Sequence, residues 1–286
     1  MTTESPVHDQ AVSLNGLRFH YREWGDPAAP PLVLLHAYTQ HARTWDTVAR
    51  GLADRFRVLA LDHRGFGDSE HATDYHELRL VADLAGFVDA LGLGAFSAIG
   101  FSLSVNVAVS YAALYSERVD RLVLLEGFAD PDELGDEPWI SVMHDQMGRL
   151  LALPASFASV EEAVAAFRPL APYAADAEVR HWLEGGLKRE PDGRWTWRYD
   201  PAFRIPGPPE RLKAVQPLVD ARFARVACPV LLLAGADSWL VAPMHRMARL
   251  NPSARTVVVP QSGHWVPLDN PDGFLAAVRG LLSEEP

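Results

Sequence analysis

The sequence has only one cysteine, Cys228, in 286 residues. An internal disulfide is therefore excluded, and no cluster of Cys and His has the spacing of a structural zinc site, so no metal is expected. Basic residues are also scarce, because 26 Lys and Arg face 37 Asp and Glu, which gives a formal net charge of −11. Nucleic acids and anionic membrane surfaces attract clustered Lys and Arg, so this balance argues against both as partners.

Long hydrophobic runs and targeting signals are missing as well. No apolar stretch approaches the roughly 18 residues that would indicate a membrane span. The first ten residues are polar, carry Glu4 and Asp9, and lack the basic start and apolar run of a secretory signal. We therefore expect a cytoplasmic protein. Its 48% of hydrophobic residues is typical of a globular chain, and the length permits a large core.

Short runs rich in Val, Leu and Ile alternate with longer amphipathic stretches. The apolar runs are Pro31–His36, Arg57–Leu61, Phe96–Ile99, Arg121–Leu125, Pro229–Leu233 and Thr256–Val259. The amphipathic stretches are Thr44–Ala53, Leu78–Leu91, Val105–Tyr115, Ala242–Leu250 and Gly273–Leu282. Strands buried on both faces lose the alternation of polar and apolar residues. The pattern predicts an α/β fold with a mainly parallel, doubly wound sheet, and Asn15-Gly16 predicts a hairpin leading into it.

Residues 130–225 interrupt this alternation and contain half of the eight tryptophans. We interpret them as a cap inserted between two parts of one core, 1–129 and 226–286. An insertion at the carboxyl edge of the strands would cover the crevice where open α/β sheets bind ligands. Large apolar side chains there either line a site for a small hydrophobic substrate or fill a core of their own. The predicted substrate contacts are Trp139, Met143 and Trp182.

Ser102 lies between a predicted strand and a predicted helix, in the segment Gly100-Phe101-Ser102-Leu103-Ser104. A serine on such a sharp turn stands exposed above the sheet, beside the positive end of the following helix. Gly100 meets the need for a small residue before the serine, whereas Ser104 stands where glycine is usual. An ordinary helix N-cap serine is the alternative, since Gly-x-Ser alone is common by chance.

Four motifs in this order resemble those of the α/β-hydrolase fold family, over nearly the whole chain. They are His36-Ala37-Tyr38, Asp62–Ser69, Gly100–Ser104 and Gly263-His264-Trp265. The resemblance implies that Ser102 is a nucleophile, that His264 is its base, and that Leu103 and Tyr38 supply oxyanion N–H groups. Substrate contacts are also expected at the neighbouring Ala37, Phe101 and Trp265. Ala37 replaces a frequent glycine and would be strained if its backbone φ were positive.

Two carboxylates compete for the role of the acid that orients His264. The family's usual position follows the strand Pro229–Leu233, but Ser238 occupies it here and Asp237 comes one residue early. Glu126, at the end of the strand Arg121–Leu125, is the second candidate, as in some members of the fold. Both lie at the correct sheet edge and satisfy the order Ser, acid, His. We favour Glu126 slightly, because Asp237 requires a changed loop.

The resemblance implies a serine hydrolase of the carboxylesterase or lactonase class that acts on a hydrophobic ester or lactone through an acyl-enzyme. The same Ser/His pair could instead serve a lyase, a cyclase, a cofactor-free oxygenase or a carbon–carbon bond hydrolase, and a non-catalytic ligand-binding protein is the third possibility. No glycine-rich nucleotide motif or metal triad is present, so no cofactor is expected. No pattern indicates the oligomeric state.

Overall fold

The computed structural model describes residues 6–127, 138–205 and 217–283, without the side chains of 138–144. Its strands are β1 His8–Leu14, β2 Leu17–Trp24, β3 Pro31–Leu35, β4 Arg57–Leu61, β5 Phe96–Phe101, β6 Val119–Leu125, β7 Ser156–Phe157, β8 Leu187–Arg189, β9 Trp195–Trp197, β10 Val230–Gly235 and β11 Ala254–Val259. Each strand predicted from an apolar run is found, as is the hairpin of β1 and β2 around Asn15-Gly16.

Eight strands form one sheet in the order β1-β2-β4-β3-β5-β6-β10-β11. The pairs from β4 to β11 are parallel, whereas β1 and β2 pair antiparallel with each other and β2 pairs antiparallel with β4. Strands β5 and β10 are buried at every residue, which explains their continuous apolar sequence. The predicted mainly parallel α/β sheet is confirmed.

Helices cover both faces of this sheet. They are α1 Asp46–Leu52, α2 Glu77–Ala90, α3 Leu103–Leu114, α4 Pro138–Leu151, α5 Val160–Phe167, α6 Asp176–Gly186, α7 at 217–223, α8 Val241–Met247, α9 Val266–Asp269 and α10 Pro271–Leu282. Each of the five predicted amphipathic stretches overlaps one of them. A 3-10 turn at Ala42–Trp45 begins the first stretch, and another at Ala248–Leu250 ends the fourth. None of the helices in the described ranges has the length and apolarity needed to cross a membrane.

The chain between β6 and β10 forms an insertion, which contains α4, α5, α6 and a small antiparallel sheet in the order β7-β9-β8. Phe167 and Trp182 of the insertion share one apolar cluster with Trp45 and Phe274, which lie on one side of the main sheet. Helix α7 is not part of this insertion, because its Phe223 packs in a second apolar cluster, on the opposite face of the main sheet. The core therefore resumes before residue 225, the end assigned to the cap from the sequence.

Candidate active site

Ser102 sits on a strained turn between β5 and α3. Its φ of 51° and ψ of −108° are uncommon for a residue with a side chain, and such strain is typical of a nucleophile turn. Strand and helix approach closely there, since a Cβ on Gly100 would lie 2.7 Å from the carbonyl oxygen of Ser104. The backbone N–H of Ser102 donates to the Leu125 carbonyl at 2.8 Å, which fastens the turn to β6.

Ser104, where glycine is usual, is fully buried and hydrogen-bonded. Its hydroxyl donates to the His36 carbonyl at 2.5 Å and lies 2.7 Å from Nε2 of His63. Burial holds the pKa of His63 well below its usual range, so the ring is neutral and donates from Nε2 to this hydroxyl. The hydroxyl thus joins the start of α3 to the loop after β3, and the residue that departs from the family pattern has a structural role.

The loop after β3 carries the predicted oxyanion residues. Ala37 is 1% exposed. The residue of this loop with a positive φ is Thr39, at 64°, so Ala37 does not carry the backbone strain considered above. The hydroxyl of Tyr38 donates to the Phe203 carbonyl in the insertion, and burial raises its pKa to about 12. Leu103 is the first residue of α3, where helix N–H groups lack partners within the helix.

The structure brings His264 and Glu126 together. Nδ1 of His264 lies 2.9 Å from Oε2 of Glu126, whose side chain is completely buried. The same carboxylate accepts hydrogen bonds from the Gly235 N–H at 2.6 Å and from the Ser238 hydroxyl at 2.5 Å. Because an ionised carboxylate only accepts, the proton lies on Nδ1 and leaves Nε2 of His264 as the basic atom.

Asp237 lies in the same loop as Ser238 but has another partner. Its carboxylate accepts a hydrogen bond from the Tyr173 hydroxyl at 2.5 Å, and the residue is exposed. The side chain in the family's usual acid position is thus a serine that contacts the carboxylate of Glu126. The two candidate acids therefore have different partners, a difference that the sequence could not show.

Trp265 connects the histidine loop to the insertion. Its ring centroid lies 5.7 Å from those of Phe167 and Trp182, and 5.2 Å from that of His264. Phe167, Trp182 and Trp265 border a narrow cavity of about 30 Å³, whose wall also includes Thr39, Gln40, His41 and Leu153. Two predicted substrate contacts, Trp182 and Trp265, therefore line a cavity next to the loop that carries His264.

The other predicted apolar contacts lie elsewhere. Phe101 is 1% exposed and packs against Trp45 and His264, with ring centroids 6.2 and 5.5 Å away. Phe101 packs against His264 from the core side, so its prediction as a substrate contact is not supported by an exposed side chain. Trp139 and Met143 belong to α4, in the part of that helix whose side chains fall outside the described residues.

Asp269 is a site residue to which the sequence assigned no role, although it lies in the segment that follows His264. Its Oδ2 accepts from the Gly263 N–H at 2.9 Å, so it fixes the loop that carries His264. Its Oδ1 is buried and has no hydrogen-bond partner among the described residues. Burial, with a smaller contribution from the charge of Glu126, raises the pKa of Asp269 to about 6.

Replacing Asp269 by Asn is expected to change the pH dependence of stability. Because the folded pKa exceeds the unfolded value near 3.8, the wild type loses stability as pH rises from about 4 to 6. The Asn variant lacks this loss. The free energy of unfolding of the variant, relative to that of the wild type, should therefore increase by on the order of 2 kcal/mol between pH 4 and pH 7. Urea unfolding at both pH values measures it. The same exchange at exposed Asp54 is the control, and an equal response from both variants contradicts the assignment.

One group of possible metal ligands occurs in the described ranges, formed by His20, Asp62 and Asp68. Its atoms already make hydrogen bonds: His20 Nδ1 lies 2.7 Å from Asp62 Oδ2, and Arg198 of the insertion donates to Asp68 at 2.5 Å. Burial opposes the charge of Asp62, but the hydrogen bond and charge of His20 outweigh it and lower the Asp62 pKa to about 2. The group joins β2, the loop after β4 and the insertion.

Comparisons with known proteins agree with this architecture. A family model described as the alpha/beta hydrolase fold matches residues 30–271. The chain is 30% identical to the esterase Rv0045c of Mycobacterium tuberculosis, over 96% of this chain and 87% of that protein. It is 28% identical to the mouse sn-1-specific diacylglycerol lipase ABHD11, over 91% and 83% of the two chains. The crystal structure of E-2-(acetamidomethylene)succinate hydrolase superposes with a TM-score of 0.84 at 24% identity, covering 98% of this chain and all of that one.

Proposed function

The chain belongs to the α/β-hydrolase fold family, and we propose that it is a serine hydrolase that cleaves a small to medium hydrophobic ester or lactone. The observation that carries this proposal is the buried contact of 2.9 Å between His264 and Glu126. It lies at the sheet edge where Ser102 occupies its strained turn. A serine hydroxyl is a poor nucleophile unless a base oriented in this way takes its proton.

The proposed reaction has two steps. Nε2 of His264 takes the Ser102 proton as Oγ attacks the ester carbonyl carbon, and the N–H groups of Leu103 and Tyr38 stabilise the oxyanion. The oxyanion collapses, the bond to the leaving oxygen breaks, and His264 returns its proton to that oxygen. His264 then takes a proton from water, and the water oxygen attacks the acyl carbon. The bond to Ser102 Oγ breaks, His264 returns the proton to Oγ, and the acid is released. Glu126 remains ionised and stabilises the imidazolium in both steps.

The residues of the insertion that border the cavity favour a hydrophobic substrate. They also favour a role for the insertion as a cap. Trp182 and Trp265, which border the narrow cavity, present aromatic rings, and aromatic and aliphatic walls suit apolar ligands with few polar groups. An ester fits better than a highly charged substrate, because the wall of the cavity, as far as the described residues form it, contains no Lys, Arg, Asp or Glu. We therefore assign the protein to the carboxylic-ester hydrolases and keep lactones among its substrates.

Covalent labelling and isotope incorporation test the proposal together. A fluorophosphonate should add once, and peptide mass spectrometry should find it on Ser102. A panel of p-nitrophenyl esters and lactones hydrolysed in ¹⁸O-labelled water should yield acids carrying one labelled oxygen, with the Ser102→Ala variant as background. Unlabelled wild type, or a product formed without incorporation of water, contradicts the proposal. The second outcome favours a lyase or cyclase with the same Ser/His pair.

A further inference from the structure

Two buried polar atoms beside the narrow cavity have no hydrogen-bond partner among the residues that the structure describes. They are Nε2 of Gln40 and Nδ1 of His41. Both residues are 5% exposed and both line the cavity. Buried polar groups in proteins are nearly always paired, so two such atoms on adjacent residues at one cavity indicate that a partner binds there.

The orientation of Gln40 is fixed by its other end. Its Oε1 accepts a hydrogen bond from the Ala37 N–H at 3.3 Å, whereas the Thr44 hydroxyl, 3.4 Å from the same oxygen, donates its proton to the His41 carbonyl at 2.6 Å. A backbone N–H can only donate, so the amide group cannot be turned round without placing two donors against each other. The unpaired end is therefore the NH₂ group, which is a donor.

His41 supplies an acceptor. Its Nε2 lies 2.9 Å from the Trp182 carbonyl oxygen, which can only accept, so Nε2 carries the proton. Burial lowers the pKa of His41 to about 4, which keeps the ring neutral near pH 7 and leaves Nδ1 as a bare acceptor. The ring has no room to turn away, because a Cβ on Gly185 would lie 2.5 Å from its Cε1 atom.

A group that satisfies both atoms must accept one hydrogen bond and donate another. A hydroxyl does so, whereas a ketone or carboxylate cannot donate and an ammonium cannot accept. The volume of about 30 Å³ admits a group the size of a water molecule, such as a hydroxyl. The cavity also lies close to the proposed reaction, because its wall includes Thr39 and Trp265, the neighbours in sequence of Tyr38 and His264.

We propose that this cavity selects esters that carry a hydroxyl group on their acyl chain, with Gln40 donating to that hydroxyl and His41 accepting its proton in a hydrogen bond. The inference rests on the proposed hydrolase function and narrows its substrate class to hydroxyacyl esters. Remaining wall residues, such as Leu153 and Trp182, surround the hydroxyl with apolar surface. A substrate without the hydroxyl leaves both polar atoms unpaired and is disfavoured for that reason.

The test compares p-nitrophenyl esters of hexanoic acid and of its 2-, 3- and 6-hydroxy derivatives. Wild type should hydrolyse at least one hydroxy ester with a kcat/KM about 10-fold or more above that of the hexanoyl ester. If the kcat/KM values of all four esters lie within threefold of one another, the inference is overturned. That result indicates that the cavity holds only a buried water. Failure to hydrolyse any ester contradicts the proposed function instead, so the two failures are distinguishable.

Variants then locate the selectivity. Gln40→Glu keeps the oxygen that accepts from Ala37 and removes the donor, and His41→Phe removes the acceptor. Each should bring the preferred ratio to within about threefold. Gln146→Glu makes the same exchange at an exposed position of α4 and should retain the wild-type ratio. A ratio that stays high in both cavity variants, with thermal melts showing folded protein, overturns the assignment of these two residues.

Discussion

Replacing Glu126 by Gln is expected to lower kcat by about 10⁴-fold, whereas Asp237→Asn should change it less than about threefold. The Gln side chain fills the same space but presents a neutral amide to His264, so it neither fixes the donor at Nδ1 nor stabilises the imidazolium. Glu126 is the carboxylate found 2.9 Å from that ring, and the Asp237 carboxylate instead accepts from Tyr173. Steady-state kinetics on one p-nitrophenyl ester measures both variants.

The Asp237→Asn variant is a matched control, because it makes the same change of charge in the loop that adjoins the site. The residual rate of the Ser102→Ala variant gives the background rate of the assay. If both single variants lose activity mildly and equally, neither carboxylate is the sole acid. A loss of about 10⁴-fold in Asp237→Asn alone would reverse the assignment.

A second substitution extends this test. The Ser238 hydroxyl lies 2.5 Å from the Glu126 oxygen that contacts His264, so an aspartate at position 238 can approach the same imidazole. The double variant Glu126→Gln/Ser238→Asp should recover about 10- to 100-fold of the lost kcat. Ser238→Asn in the same background supplies no charge and should recover none. Equal rates in both double variants contradict an electrostatic role for the relocated acid.

Replacing Gly235 by Ala is expected to lower both stability and activity strongly. An added Cβ would lie 2.2 Å from the Gly263 carbonyl oxygen and 2.4 Å from that of Ser262, which are backbone atoms that cannot rotate away. The histidine loop must move, and the N–H of Gly235 that donates to Glu126 moves with it. We expect a loss of about 3 kcal/mol in the free energy of unfolding and at least about 10²-fold in kcat.

Gly280→Ala provides the matched control for this prediction. Gly280 lies within α10 with no atom near the position of an added Cβ, so the substitution should stabilise the protein by up to about 1 kcal/mol through helix propensity. Thermal melts and ester kinetics measure both variants. A Gly235→Ala protein with wild-type stability and kcat would show that the two loops are not packed as tightly as their distances indicate.

The core of the fold could be predicted because its strands are buried on both faces. Runs such as Arg57–Leu61 match the observed strand at each end, since a strand buried on both faces forms a short, continuous apolar stretch without alternation. The strands of the insertion could not be found in this way. Ser156–Phe157 and Trp195–Trp197 have only two and three residues, too few for a period to be recognised.

The candidate site residues were found in the sequence where a motif follows a strand. Ser102 and Glu126 come directly after β5 and β6, and His264 lies in the loop that follows β11, but choosing between Glu126 and Asp237 depends on how the loop after β10 turns. In the sequence, Ser104 is only a departure from the usual pattern. Its role could not be predicted, because the partners of its hydroxyl, His36 and His63, are distant in sequence. Gln40 and His41 gave no signal, since an unpaired buried atom is visible only in three dimensions.

The apolar cluster shared by the main sheet and the insertion limits how freely the insertion can be exchanged. Trp45 and Phe274 belong to it together with Phe167 and Trp182, so removing the insertion would expose aromatic surface that is buried in the whole protein. A foreign segment grafted at the two chain junctions would have to supply the same apolar surface. If the proposed site is correct, we expect substrate range to change more readily through substitutions at single cavity residues than through recombination of whole segments.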